Sequence, residues 1–247
     1  MNSKIKGLSA NTLKYLAIIA MTIDHTALVF VSQNTVLYYF MRTVGRLTAP
    51  IMCYFIAEGF HHTRSRRKYL TRTAVFAVIS QPFYFLMVFG RPPESVSEFL
   101  MNWNVMYTFS VSLIMLIIAD CKKLSVYKKI ILIAVCFAFA DVGDWAYVCC
   151  AWVLVFHMFR GSFKKQAVGF IGVSVVLMTY RFLPQFDSFA EFSYQYGVLL
   201  SLVPLCLYNG KRGGSENRTV MAFNKWLFYV YYPLHAAVLV GLKIFLA

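Results

Sequence analysis

Runs of apolar residues, broken at intervals by short polar or basic stretches, set the pattern of this chain from end to end. They predict nine helical spans, at about 13–32, 47–62, 70–90, 103–120, 127–141, 145–160, 165–183, 194–208 and 225–246. The runs are near-continuous, which favours helices over the in-out alternation of a membrane barrel. The longest approach the ~20 residues with which a helix crosses a hydrocarbon core about 30 Å thick. The stretch around Asp141–Asp144 can be divided between spans in more than one way. No heptads, low-complexity tracts or internal repeats are visible. The absence of two matching halves with broken helices weakens a transporter architecture.

Composition sharpens this picture. The 247 residues are 60% hydrophobic, with a mean hydropathy of +0.62, too apolar for a soluble chain of this length. The expected fold is all-α: a polytopic membrane helix bundle of about nine transmembrane helices, forming a single domain over residues 1–247. The six cysteines lie in or beside apolar runs without a CxxC pair, as buried thiols do. The first span lacks a small-residue cleavage site after it and is expected to be retained.

Charge then supplies a topology. Lys4, Lys6 and Lys14 precede the first span, and Arg64, Arg66, Arg67, Lys68 and Arg72 fill the second loop. Lys122, Lys123, Lys128 and Lys129 occupy the fourth, Arg160, Lys164 and Lys165 the sixth, and Lys211, Arg212, Arg218 and Lys225 the eighth. The other side keeps Arg42, Arg46, Arg91, Arg181 and Lys243, with Glu94, Glu98, Asp141, Asp144, Asp187 and Glu191. The positive-inside rule therefore predicts a cytoplasmic N-terminus and an external C-terminus. It also accounts for most of the net charge of +14, so nucleic acid is not an expected partner, whereas membrane lipids are.

The first span carries the most pointed chemistry. Asp24 and His25 lie side by side within LKYLAIIAMTIDHTALVFV (13–31), His25 roughly 16 Å above Lys14 along a helix. Charge at that depth needs a partner or a wet cavity, and histidine is a common base near neutral pH. Structural pairing that fixes helix packing is the alternative. Glu58 precedes His61 and His62 by three and four residues, which resembles half of a di-iron helix. No second such motif exists, and no metal site is expected. Arg42 and Arg46 are placed either to snorkel to the interface or to pair with Asp24 or Glu58. In the last span Pro233 should kink FYVYYPLH (228–235), with His235 deep in it. The basic loop at Arg64, Arg67, Lys68 and Arg72, and the Gly-rich loop with Lys211 and Arg212, admit two readings. One is positive-inside charge on anionic lipid; the other is an anion site for a phosphorylated cosubstrate.

Several of these blocks resemble the TraX family: LKYLAIIAMTIDH (13–25), GRLTAPIMCYFIAEGFHHTR (45–64), KYLTR (68–72), NVMYTFSVSL (104–113), LYNGKRG (207–213) and FYVYYPLH (228–235). The resemblance covers most of the chain in order. It implies an integral membrane acetyltransferase of the bacterial cytoplasmic membrane, using acetyl-coenzyme A and acting on pilin in named members. The wider transmembrane acyltransferases, to which the family looks related, use a first-helix histidine that matches His25, and arginines that match Arg67 and Arg72 loosely. On this reading His25 is the general base. Asp24, Glu58, Arg46 and His235 orient it or stabilise the oxyanion, and Arg64, Arg67, Lys68, Arg72, Lys211 and Arg212 receive the cosubstrate. A lipid or glycan acceptor fits the residues equally well, as does an acetyl-histidine intermediate. The competing classes are a proton- or ion-coupled transporter with Asp24, Glu58 and His235 as a relay, and a non-catalytic scaffold.

Overall fold

The computed structural model describes residues 7–33, 35–182, 192–214 and 217–246, with the backbone alone for Phe182 and Arg218. Lys4, Lys6, Asp187 and Glu191 lie outside the described residues. The architecture is all-helical: α1 (Ala10–Phe30), α2 (Val36–Gly45), α3 (Thr48–His62), α4 (Arg66–Phe89), α5 (Val96–Leu100), α6 (Val105–Asp120), α7 (Val126–Ala140), α8 (Ala146–Met158) and α9 (Phe163–Val173). A π-helical turn (Ser174–Met178) extends α9 into Thr179–Phe182. A 3-10 segment (Tyr194–Ser201) runs into Leu202–Cys206, and a C-terminal helix (Arg218–Leu246) closes the bundle. Among the described residues strand pairing is confined to two isolated bridges, Leu8 with Tyr208 and Trp103 with Gly143.

The helices start where local chemistry dictates. Ser9, Thr35, Ser65 and Asn104 cap α1, α2, α4 and α6, each side chain accepting a hydrogen bond from an amide in the first turn. Three helices, α1, α4 and Thr219–Leu246, are long and apolar enough to cross a membrane. Polarity is arranged as in a membrane protein. Thr73, Ser80, Gln81, Asn104, Thr108 and Ser112 are buried, whereas Ile130, Ile131 and Phe139 of α7 and Phe223, Val230, Leu234 and Val238 of the C-terminal helix face outward. Such outward apolar faces suit hydrocarbon rather than water. The buried amides are paired: Asn104 donates to the Ala77 carbonyl at 2.7 Å and to Gln81 Oε1 at 2.9 Å.

One helix was not visible in the apolar pattern. Residues 36–45, expected as part of an outer connection, form α2, which returns alongside α1 and meets α3 end to end. Pro50, in the first turn of α3, has no N–H to give the Arg46 carbonyl, so α2 and α3 are two helices and not one. The break is a tight turn in which Leu47 N–H bonds the Val44 carbonyl at 3.2 Å. Thr48 Oγ1 then donates to the Ala17 carbonyl at 3.0 Å, setting the break against the middle of α1.

The two ends of the bundle differ. At one end, Arg66 pairs with Asp120 at 2.6 Å and Arg160 with Glu58 at 3.1 Å, joining α4 to α6 and the turn after α8 to α3. The Gly-rich loop straps the start of α1 there, with Ala10 and Asn11 amides donating to the Lys211 and Arg212 carbonyls. At the other end Arg91 pairs with Glu98 at 2.6 Å, and Arg181 with Asp141 at 3.3 Å.

Candidate functional site

The α2–α3 break delivers two guanidinium groups to the middle of α1. Arg42 Nη1 lies 2.7 Å from Asp24 Oδ2, and Arg46 Nη2 lies 2.9 Å and 3.2 Å from Oδ1 and Oδ2. The approach depends on Gly45, since a methyl group there would overlap the Asp24 side chain. Arg46 also bonds Gln195 Oε1 at 3.1 Å, and its guanidinium lies over Trp145 and Tyr194. Asp24 and Arg46 are both buried, and one carboxylate holding two arginines is the compensation a buried charge requires. Arg42 Nε is a buried donor without a hydrogen-bond partner among the described residues.

His25 turns away from this cluster toward the C-terminal helix. Its Nδ1 lies 2.7 Å from His235 Nε2, while His235 Nδ1 lies 3.0 Å from the Tyr231 carbonyl. A carbonyl only accepts, so His235 carries its proton on Nδ1 and presents a lone pair at Nε2. His25 must then donate from Nδ1, which leaves its Nε2 as the unprotonated, basic nitrogen. That atom is 3.8 Å from Asp24 Oδ2, too far for a hydrogen bond but close enough for the carboxylate to stabilise an imidazolium.

Asp24, His25, Arg42, Arg46, Asp144 and Tyr84 line a cavity of about 200 Å³. A second cavity, of about 530 Å³, opens toward the strap end and carries Lys14, Arg72, Arg212 and Lys225. Among the described residues its one acid, Glu58, is already paired with Arg160 and, at 3.3 Å, with His62. Met52, Met106, Phe109 and Phe228 line both cavities and form a collar between them. Lys14 sits at that collar, its ammonium 5.2 Å from the ring centres of both Phe55 and Phe228.

The structure thus brings together His25, Asp24, Arg46 and His235. Glu58 lies in the other cavity, apart from the His25 cluster it was expected to help orient. Of the six expected cosubstrate residues, Arg72 and Arg212 line the basic cavity, whereas Arg64, Arg67, Lys68 and Lys211 are exposed outside it. His61 and His157 stack at 4.8 Å near the same end of the bundle, separate from both cavity linings. No group of three or more metal-ligating side chains occurs among the described residues. Lys14, Asp144 and Lys225 are the site residues that the charge pattern alone assigned to topology, whereas Arg42 and Arg46 take the pairing with Asp24 that was one of their two expected roles. The four-residue spacing of Arg42 and Arg46 was the available signal for one shared helical face.

Comparison with known proteins gives the family of the chain. A family model described as TraX protein matches residues 9–243. A protein of Dichelobacter nodosus described as "Probable fimbrial assembly protein FimC, serogroup H1" is 36% identical over 244 residues, covering 96% of this chain and 97% of its own. An uncharacterized protein of Rickettsia prowazekii (strain Madrid E) is 39% identical over 69 residues, covering 28% of this chain and 24% of its own. No solved structure matches.

Proposed function

Because this chain belongs to the TraX family, we propose that it is a membrane acetyltransferase that moves an acetyl group from acetyl-coenzyme A to a pilin-type acceptor. The observation that carries this reading is the meeting of two cavities at one collar, a basic one beside Lys14 and a smaller one around His25. A polyanionic nucleotide suits four cations whose one acidic neighbour among the described residues is already paired, and a thin pantetheine arm suits an apolar collar. The fimbrial name of the Dichelobacter nodosus relative points to the same class of acceptor.

The chemistry follows from the hydrogen-bond chain. His25 Nε2 takes a proton from the acceptor as its nitrogen or oxygen attacks the thioester carbonyl carbon. The Arg42 Nε–H, buried and otherwise unpartnered, is available to the oxygen on which negative charge develops. The C–S bond then breaks, and the His25 imidazolium returns its proton to the departing thiolate. His235 is a positioning residue that holds the required tautomer, and Asp24 favours the transient imidazolium. In the full proposal nine helices cross the bacterial cytoplasmic membrane, with the strap end and the basic cavity on the cytoplasmic side. Isotope-labelled acetyl-coenzyme A added to membranes containing the protein should label a fimbrial subunit. His25→Ala should reduce that labelling by about 10²–10⁴-fold. Equal labelling by the two proteins would contradict the assignment.

A further inference from the structure

One face of α1 runs the length of both cavities. Ile18, Met21, His25 and Leu28 line the smaller one, and Lys14 lines the basic one. Their spacing of three or four residues makes a single stripe of the helix. His25 stands eleven residues after Lys14 on the unbroken α1, about three full turns, so the two side chains project in nearly the same direction. Both lean toward the helix N-terminus, which leaves the rise between them at about 16 Å.

Lys14 is the cation of that stripe, and the protein gives it no anion. Among the described residues its ammonium has neither an ion pair nor a hydrogen bond, and the charged group acting on it is a second cation, Arg212. The rings of Phe55 and Phe228, each centred 5.2 Å away, hold the ammonium in place. The helix start beneath it is tied down, since the Asn11 side chain donates to the Gly213 carbonyl at 2.9 Å and Arg212 to the Met221 carbonyl at 2.9 Å. Lys225 is acted on by Arg72 and Arg212, which makes an outer group of three cations, whereas Lys14 lies against the collar ring of Phe228. A cation whose charged neighbour has its own sign is relieved by an anionic ligand, and its position fixes which part of the ligand that is. From the thioester sulfur to the nearer phosphorus, pantetheine runs through about 13 bonds, ~16 Å when extended at the roughly 1.2 Å per bond of a peptide chain. That length matches the rise from Lys14 to His25.

We propose that Lys14 binds the phosphate next to the pantetheine arm and so sets the register at which the thioester reaches His25. The assignment rests on the acetyltransferase reading and deepens it. The donor is read as a phosphopantetheine thioester, and Arg72, Arg212 and Lys225 are left for the phosphates beyond. An arm held one helical turn lower would stop about 5.4 Å short of the base. A phospholipid phosphate offers Lys14 the same chemistry but brings no thioester to His25.

The test needs no acceptor. The S-bromoacetyl thioesters of coenzyme A, of 4′-phosphopantetheine and of pantetheine are added to full-length protein in detergent, and alkylation of His25 is followed by mass spectrometry. His25 Nε2 attacks the methylene carbon: an N–C bond forms, the C–Br bond breaks, bromide departs and the Nδ1 proton passes to water. At sub-saturating concentration both phosphorylated labels should alkylate His25 at least about tenfold faster than the pantetheine label, as a hydrogen bond to a charged group allows. Lys14→Met, which keeps an apolar stem between Phe55 and Phe228, should abolish that difference, and Lys14→Arg should restore most of it. Lys14→Gln serves if Lys14→Met does not fold. A difference unchanged in Lys14→Met would overturn the proposal and leave the lysine to lipid phosphate. Three labels that react alike with the wild type, or none that reaches His25, would overturn it too. Failure of coenzyme A to stabilise the wild type would instead strike the acetyltransferase reading beneath it.

Discussion

Asp24 is the hub of the buried cluster, and neutralising it should cost more than removing either arginine. In Asp24→Asn the amide keeps the shape, but Arg42 and Arg46 lose the carboxylate that lies 2.7 Å and 2.9 Å from them. Breaking a buried pair by removing one partner typically costs about 3–5 kcal/mol. For a chain of this size 1 kcal/mol corresponds to roughly 2–4 °C, so the apparent midpoint should fall by about 6–20 °C. Arg46→Gln leaves Asp24 paired one-to-one with Arg42 and should cost less. In the double variant Asp24→Asn/Arg46→Gln, one uncompensated cation has also been removed, so it should be no less stable than Asp24→Asn alone. The assay is thermal unfolding of detergent-purified protein at one scan rate, completed as a double-mutant cycle. Two losses that simply add would refute the account of Asp24 as the shared counter-ion.

Three further outcomes follow. Gly45→Ala should displace α2 from α1, lowering the midpoint and separating the Asp24–Arg46 pair, which a cysteine crosslink between α1 and α2 would report as lost proximity; an unchanged crosslink would contradict the close approach. His235→Gln retains an oxygen acceptor for the His25 Nδ1–H and should keep more acetyl transfer than His235→Leu, with coenzyme A binding alike in both; equal transfer would remove the tautomer argument. At the outer loop, the hydrogen bond from Arg91, with help from the Glu94 amide, holds the Glu98 carboxyl below its usual range. Its contribution is therefore present above the usual carboxylate pKa and is lost as pH falls through the lowered value. Carbonyl NMR of Glu98 should show that depressed titration, and a value near the ordinary ~4.3 would contradict it.

Much of the fold was legible because each of the nine expected apolar runs contains helix, and because capping residues such as Ser9, Ser65 and Asn104 stand at helix starts. Helix α2 was not, since its burial comes from Arg42 and Arg46 meeting Asp24 across 18 and 22 residues, a pairing that local periodicity does not contain. Pro50 marked the break, yet only the partner on α1 shows why a break is useful there. His25 and Asp24 stood out as polar groups at depth, while the His25–His235 bond joins residues 210 apart. Charge density alone did not decide between the two readings of the basic loop. Tyr69, Arg72 and Thr73 share the face that lines the cavity, whereas Arg67 lies on the exposed face of α4. A helical wheel separates them, but charge counting does not.

The central claim is tested most directly by coenzyme A binding to detergent-purified protein, read as thermal stabilisation at low and high salt, which requires no knowledge of the acceptor. The account predicts stabilisation that fades with salt and is lost in Lys14→Ala and Arg72→Ala but kept in Arg67→Ala. No stabilisation at millimolar ligand, or a loss in Arg67→Ala equal to that in Arg72→Ala, would contradict it.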